Sequence, residues 1–222
     1  MPIDRKRRLL FIHIPKTAGT SVEECLGLRS NWQDENRDTC FGLIQSPDLL
    51  ALSCSTRFLQ HLTYSELQLI VGSSIHELFA FAVVRDPWTR LLSSFQRKDP
   101  DLCAIYRQNY GLDLNIKGLH EYIDLAQSFD HPHLRSQTAF LRKAGSGPRP
   151  SSDIKLFRQE QLHDLQAWLC QFTGETLCLP HSNVNLPKQE LPDLSDAEWQ
   201  SLESKVRQIY HDDCQNFGYP MP

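Results

Sequence analysis

Hydrophobic residues are concentrated in short runs along the chain, and the spacing within each run predicts its secondary structure. Residues 8–14 form a mostly apolar run that stops at Pro15, and residues 78–84 form a second run that is almost entirely apolar. Short continuous runs of this kind are typical of buried strands in a parallel sheet. A third strand is predicted at 153–158 and a fourth at 177–179.

Between the predicted strands, apolar residues recur three and four positions apart, which predicts amphipathic helices. Two helix starts carry the spacing of a capping box, Thr63 with Glu66 and Ser195 with Glu198. The alternation of strands and helices favours an α/β fold. The predicted helices span 19–28, 63–71, 87–97, 133–142, 160–172 and 195–216, and residues 99–130 are predicted to be mostly helical.

Composition narrows the class of protein. A chain of 222 residues predicts a single α/β domain over 1–222, and its 40% hydrophobic and 23% charged residues are typical of a globular protein. A net charge of −4 disfavours a general nucleic-acid binder. No segment approaches the roughly 18 apolar residues of a membrane span. Seven scattered cysteines without a CxxC pair predict reduced thiols in a cytoplasmic protein and no metal site.

The first candidate site is the turn after the first strand, residues 15–21, which read PKTAGTS. Small residues let the backbone approach a ligand closely, and the amides that open the next helix favour an anion. Lys16 adds a positive charge, and the segment therefore predicts a phosphate-binding loop. A standard P-loop places its lysine after a second glycine, whereas Lys16 precedes Gly19, so a kinase or GTPase is poorly supported. An ordinary strand–turn–helix with a chance lysine is the alternative. The predicted phosphate ligands are Lys16, Thr17, Ala18, Gly19, Thr20 and Ser21.

The second candidate site follows the second clear strand. Arg85 stands at the strand end, and Ser93 lies about two helical turns further on, so the two could hold one phosphate. Arg90 and Ser94 are nearby alternatives. Arg85 paired with a carboxylate is the structural alternative, and Asp86 is expected to cap the helix. Because open α/β sheets bind ligands at the carboxyl ends of their strands, the two sites predict one ligand with two anionic ends.

These two segments resemble the cofactor motifs of a known family. The loop PKTAGTS resembles the 5′-phosphosulfate loop of sulfotransferases that use 3′-phosphoadenosine 5′-phosphosulfate (PAPS), and RDPWTRLLSSF resembles their 3′-phosphate motif. The variant is most similar to the carbohydrate, Golgi-type branch. The resemblance implies a three-layer, P-loop-like α/β fold, with a central parallel sheet flanked by helices. It also implies transfer of a sulfuryl group from PAPS to an acceptor hydroxyl of a carbohydrate.

The membrane-bound members of that family carry an N-terminal anchor. This sequence shows none, which predicts a soluble, bacterial-like member. Its partners would be a small-molecule or glycan acceptor, with no nucleic acid and no membrane span. Two other functions stay open: an atypical P-loop nucleotide phosphotransferase, and a non-catalytic module that binds nucleotide or glycan.

The resemblance also assigns roles. Lys16 would stabilise the leaving group. Arg85 and Ser93 would hold the 3′-phosphate, with a late contact from Lys188. His61 is the predicted base, because it lies just before a helix between the two phosphate motifs and matches the histidine segment of the family. The predicted acceptor ligands are His133, Arg135 and Gln137.

Other residues compete for some of these roles. His133 is the second candidate for the base, and Glu160 is an alternative base or a structural partner of an arginine. His13 lies inside the first strand and is expected to be a packed core histidine. His181 is a weaker candidate for contact with the nucleotide or the acceptor.

Overall fold

The computed structural model describes residues 1–97, 118–145, 147, 149–181, 188 and 190–222. The chain divides into two compact units: Met1–Arg85 with Ser136–Val184, and Asp86–Arg135 with Asn185–Pro222. The single domain predicted over residues 1–222 stays a prediction.

A four-stranded sheet forms the centre of the first unit. Its strands, in chain order and in sheet order, are β1 (Ile3–Asp4), β2 (Leu9–Ile12), β3 (Phe79–Val84) and β4 (Ile154–Arg158). Strand β1 runs antiparallel to β2, whereas β2, β3 and β4 are parallel. The strands predicted at 8–14, 78–84 and 153–158 are confirmed with slightly shorter bounds. Strand β1, with only two residues, is too short for a pattern to predict it.

The fourth predicted strand, at 177–179, is wrong. Residues 177–179 form no strand, and the side chains of Leu177 and Leu179 pack against the core beside the sheet. Their main-chain amides bond to side chains of a helix instead of a neighbouring strand: Leu177 N to Cys170 Sγ at 3.3 Å, and Leu179 N to Gln166 Oε1 at 2.9 Å.

Strands β2 and β3, apart from Phe79, are buried on both faces. Leu9, Phe11, Phe81 and Val83 share one core cluster with residues of two helices, Gly19–Leu26 and Leu162–Thr173. On the opposite face Leu10, Ile12, Ala80 and Ala82 are also buried. Burial on both faces explains why these strands are apolar throughout and do not alternate. The predicted α/β fold, a mostly parallel sheet with flanking helices, is confirmed.

The helices of the first unit are α1 (Gly19–Leu26), α2 (Pro47–Leu50), α3 (Tyr64–Val71), α6 (Gln137–Phe140) and α7 (Leu162–Thr173), with 3-10 turns at Leu59–His61, Gly72–Glu77 and Gln159–Gln161. Those of the second unit are α4 (Pro87–Gln96), α5 (Leu119–Ser128), α8 (Asp196–Ile209) and α9 (His211–Phe217). Residues from α4, α5 and α8 form the core of the second unit. Of the helical segment predicted at 99–130, α5 is observed, and residues 99–117 lie outside the described residues.

The helix starts predicted at the two capping boxes and at Asp86 are confirmed. Thr63 with Glu66 and Ser195 with Glu198 form complete capping boxes. Asp86 accepts a hydrogen bond from Thr89 N at 3.0 Å and so caps α4. These starts were predictable because each depends on residues within one turn of the chain.

Two predicted helices are too long. The helix expected over 133–142 shrinks to α6, because Ser136, with a φ of −54° and a ψ of 138°, leaves the helical region and caps α6 by accepting from Ala139 N. The helix expected over 195–216 breaks at Tyr210, whose φ of −103° and ψ of 35° leave the helical region. The buried Tyr210 hydroxyl donates to Leu134 O at 2.5 Å, a tertiary contact that the local pattern does not contain.

None of the helices in the described ranges combines the length and the apolar character that a membrane crossing requires.

Candidate active site

The phosphate loop, residues 15–21, joins β2 to α1 in a concave backbone conformation. Lys16 (φ 72°) and Ala18 (φ 71°) both lie in the left-handed region, which non-glycine residues seldom adopt. Residues with positive φ at alternate positions are typical of the backbone nests that bind anions, and Lys16 and Ala18 have this spacing. Gly19 then starts α1, so the helix dipole adds to the attraction for an anion.

The hydroxyl side chains of the loop are not equally accessible. Thr17 is fully buried, and its Oγ1 donates to Ile14 O at 2.8 Å, so the hydroxyl is used to hold the loop to the strand. Ser21 is buried, whereas Thr20 is half-buried. The Thr17 hydroxyl is therefore occupied within the protein, and Thr20 is the more accessible of the predicted hydroxyl donors.

Arg85 lies next to the phosphate loop. Strands β2 and β3 are parallel, with Ile12 opposite Ala82, so both end at the same edge of the sheet. There Nη1 of Arg85 donates to Lys16 O at 3.2 Å. The structure thus brings together the two segments that the sequence predicts to bind phosphate.

Gln137 fixes the main chain of Arg85. Its Oε1 accepts from Arg85 N at 2.9 Å, and its Nε2 donates to Arg85 O at 2.8 Å. The side chain is fully buried. These contacts do not resemble those of an acceptor ligand, the role that the sequence predicts for Gln137; they make it a support for Arg85.

His61 lies at the end of the 3-10 turn before α3 and is half-buried. Its ring meets the ring of His13 edge-on, with centroids 4.6 Å apart and an interplanar angle of 71°. His61 Nδ1 lies 3.5 Å from the carbonyl oxygen of His13, at the outer limit of a hydrogen bond. His61 is thereby placed at the strand end from which the phosphate loop begins.

His13 is a buried histidine with a buried partner. Its Nδ1 lies 2.5 Å from Oε1 of Glu23, which projects from α1. The sequence predicts a packed histidine here but does not single out Glu23. Glu23 could have been identified from its position in the sequence. It lies one turn before Leu26, on the helix face that also carries Val22.

Arg90, the alternative to Arg85, has a structural role within the second unit. Its guanidinium is buried and donates to Arg135 O at 2.9 Å and Pro132 O at 3.2 Å. Burial also lowers the pKa of Arg90. Arg90 therefore holds the turn at 131–135.

The remaining predicted residues of the second unit are His133, Arg135, Ser93 and Lys188. His133 Nδ1 lies 3.4 Å from Oγ of the buried Ser94. Arg135 forms a bidentate pair with Asp130, at 2.6 and 3.0 Å. Ser93 is half-buried on α4, and Lys188 is exposed. Because Arg85 belongs to the first unit and Ser93 to the second, their joint hold on a phosphate stays a prediction.

Two further predicted contacts are exposed: Glu160 in the turn before α7, and His181. In the part of the chain that the structure describes, no group of three or more His, Cys, Asp and Glu side chains is arranged to hold a metal ion.

Comparison with known proteins places this site in a family. The model of the sulfotransferase family matches residues 1–141, a range that contains the phosphate loop, His61, Arg85 and Gln137. Searches of curated proteins and of solved structures found no match. Since the matched range is more than half of the chain, and since its strand ends carry a phosphate-type loop and an adjacent arginine, the chain belongs to the sulfotransferase family, whose members transfer sulfuryl groups.

Proposed function

We propose that this protein transfers a sulfuryl group from PAPS to an acceptor hydroxyl of a carbohydrate. The observation that carries the proposal is the contact between Arg85 and the phosphate loop at one edge of the sheet. A backbone nest, Lys16 and a guanidinium form a donor set suited to an anion with more than one phosphate. The choice of PAPS and of a carbohydrate acceptor rests on the sequence resemblance, and a cytoplasmic location rests on the scattered cysteines.

Charge stabilisation is the task of the loop. When bound, PAPS supplies the sulfuryl group and a phosphate as the leaving group. Lys16 and the main-chain N–H groups of the nest would stabilise the negative charge that gathers on the leaving oxygen. Loss of one such donor typically costs about 10²–10³ in rate.

His61 would take the proton from the acceptor hydroxyl. Its Nδ1 faces the His13 carbonyl, so Nδ1 is the nitrogen that donates, and Nε2 is left with a lone pair. A neutral imidazole nitrogen is a suitable general base near neutral pH. The proton of the hydroxyl would therefore pass to His61 Nε2.

The other residues would bind the two substrates. Arg85, held at its main chain by Gln137, would pair with the 3′-phosphate, with Ser93 and Lys188 as further contacts. His133 and Arg135 stay proposed acceptor contacts. We propose for Gln137 the support of Arg85 in place of an acceptor contact.

The direct test measures the binding of 3′-phosphoadenosine 5′-phosphate through its effect on the melting temperature of the protein. The nucleotide should raise the melting temperature of the wild-type protein, and Lys16→Ala or Arg85→Ala should abolish the increase. Arg29→Ala is the matched control, because Arg29 is an exposed arginine paired with Glu24. No increase at millimolar nucleotide, in folded wild-type protein, would refute the proposal.

A measurement of turnover then distinguishes an enzyme from a non-catalytic binding module. His61→Ala should lower turnover by about 10²–10⁴ with little change in nucleotide affinity. The control is His163→Ala, which removes an exposed histidine of α7. Nucleotide binding without any sulfuryl transfer by the wild-type protein would favour a non-catalytic module. Magnesium-dependent binding of ATP in preference to 3′-phosphoadenosine 5′-phosphate would favour a phosphotransferase.

A further inference from the structure

A buried pair of ionisable side chains lies behind the phosphate loop and has no part in the chemistry of transfer. His13 is 7% exposed and Glu23 is 3% exposed, and 2.5 Å separates Nδ1 of the imidazole from Oε1 of the carboxylate. His13 follows β2, and Glu23 belongs to α1. The hydrogen bond therefore joins the two elements that the phosphate loop connects.

The His13 ring is enclosed by its neighbours. It stacks on Phe11, with centroids 5.6 Å apart, and meets His61 edge-on. On another side it packs so closely against Gly19 that a Cβ at this position would clash with His13 Nε2. One ring thus contacts both the phosphate loop and the proposed base.

The hydrogen bond to Glu23 determines how the ring is held. An ionised carboxylate only accepts, so Nδ1 of His13 must donate to it. A buried carboxylate without that donor would lose its hydrogen bond at a cost of about 1–3 kcal/mol or more, so the pair is strongly maintained. With its ring held in this orientation, His13 presents a fixed ring face to His61, whose Nδ1 lies 3.5 Å from the main-chain carbonyl oxygen of His13.

We propose that Glu23 is a positioning residue, which acts through His13 to orient His61 and to keep its Nδ1 as the donating nitrogen. The inference rests on the proposed function of His61 as the base. Glu23 itself contacts neither the acceptor nor the nucleotide in this scheme. Its removal should therefore affect turnover more than nucleotide binding.

The first experiment compares kcat with nucleotide Kd. Glu23→Ala should lower kcat by about 10–100-fold, as for other carboxylates that orient a functional histidine, with little change in Kd for 3′-phosphoadenosine 5′-phosphate. Glu23→Gln keeps an oxygen that accepts from Nδ1 and should retain most of the activity. Glu24→Ala is the matched control, because Glu24 is the next residue of α1 and is exposed. Wild-type kcat in folded Glu23→Ala would overturn the inference.

The second experiment needs no turnover and also serves if Glu23→Ala fails to fold. Nitrogen-15 NMR of the wild-type imidazoles should show neutral His61 with its proton on Nδ1, and Glu23→Gln should preserve that tautomer. A proton on Nε2 in the wild-type protein would overturn the inference. If instead the tautomer is as expected but His61→Ala leaves turnover unchanged, His61 is not the base. The inference about Glu23, which rests on that role, is then overturned as well.

Discussion

At the scale of single residues, the phosphate loop depends on backbone conformations that its residues do not favour. Lys16 and Ala18 both have a φ near +70°, where an L-residue with a Cβ pays about 1–2 kcal/mol. Such strain persists when the surroundings determine the conformation, here the Thr17 hydrogen bond to Ile14 and the start of α1. The strained residues lie in the loop that we propose to bind the nucleotide.

This strain predicts an unusual effect of glycine. Ala18→Gly should raise the free energy of unfolding by about 0.5–1 kcal/mol, because relief of the left-handed strain exceeds the added entropy of the unfolded chain. Ala167→Gly is the control, since Ala167 is exposed in the middle of α7 and should lose about 1 kcal/mol. Urea unfolding measures both. A decrease of similar size in both variants would contradict the left-handed assignment of Ala18.

At the scale of elements, the ends of helices show which interactions are local. Helix α8 begins as its capping box predicts, yet it ends at Ile209 because Tyr210 turns its hydroxyl toward Leu134. Helix α6 begins at Gln137 because Ser136 caps it by accepting from Ala139 N. A helix start can thus be encoded within one turn, whereas the end of α8 depends on Leu134, 76 positions away in the chain.

The capping box of α8 makes a prediction of defined sign. Ser195→Ala should lower the free energy of unfolding by about 1 kcal/mol, because it removes the hydroxyl that accepts from Glu198 N. Ser201→Ala, at an exposed position inside the same helix, should instead be neutral or slightly stabilising, since alanine is the better helix former. Urea unfolding, followed by tryptophan fluorescence, measures the free energy of unfolding of both variants. Equal effects of the two substitutions would show that the box contributes nothing.

At the scale of the whole molecule, Glu35 and His131 are among the groups that couple stability to acid. Burial opposes ionisation of Glu35, but hydrogen bonds from Ser46, Gln45 and Arg37 outweigh it and lower the pKa of Glu35 from 4.5 to about 2. Burial, together with the charge of Arg135, lowers the pKa of His131 from 6.5 to about 4. At pH values between the folded-state pKa and the ordinary pKa of each group, the folded state binds fewer protons than the unfolded state. Acid therefore favours unfolding.

The free energy of unfolding should therefore decrease in two successive pH ranges. The contribution of His131 is complete above pH 6.5 and is lost as the pH falls to about 4. That of Glu35 is complete above pH 4.5 and is lost as the pH falls to about 2. Urea unfolding at a series of pH values measures both losses, and His131→Asn and Glu35→Gln should each flatten the curve in one range only. A curve that stays the same in both variants would contradict these shifts.

The sequence alone was sufficient for features that depend on neighbours in the chain. Burial on both faces makes β2 and β3 continuously apolar, so their runs identify them, and the capping boxes of α3 and α8 lie within one turn. The prediction of an anion-binding loop at residues 15–21 is likewise local, because charge, small residues and a helix start occur together there.

Only the tertiary structure decided what depends on distant partners. The pairing of His13 with Glu23, the hold of Gln137 on Arg85 and the inward turn of the Thr17 hydroxyl have no pattern in the sequence. The same holds for residues 177–179, whose amides bond to a helix where the apolar run predicts a strand. Local periodicity reports which face of an element is apolar, whereas the partner of a buried polar group is chosen by the packing of the elements that surround it.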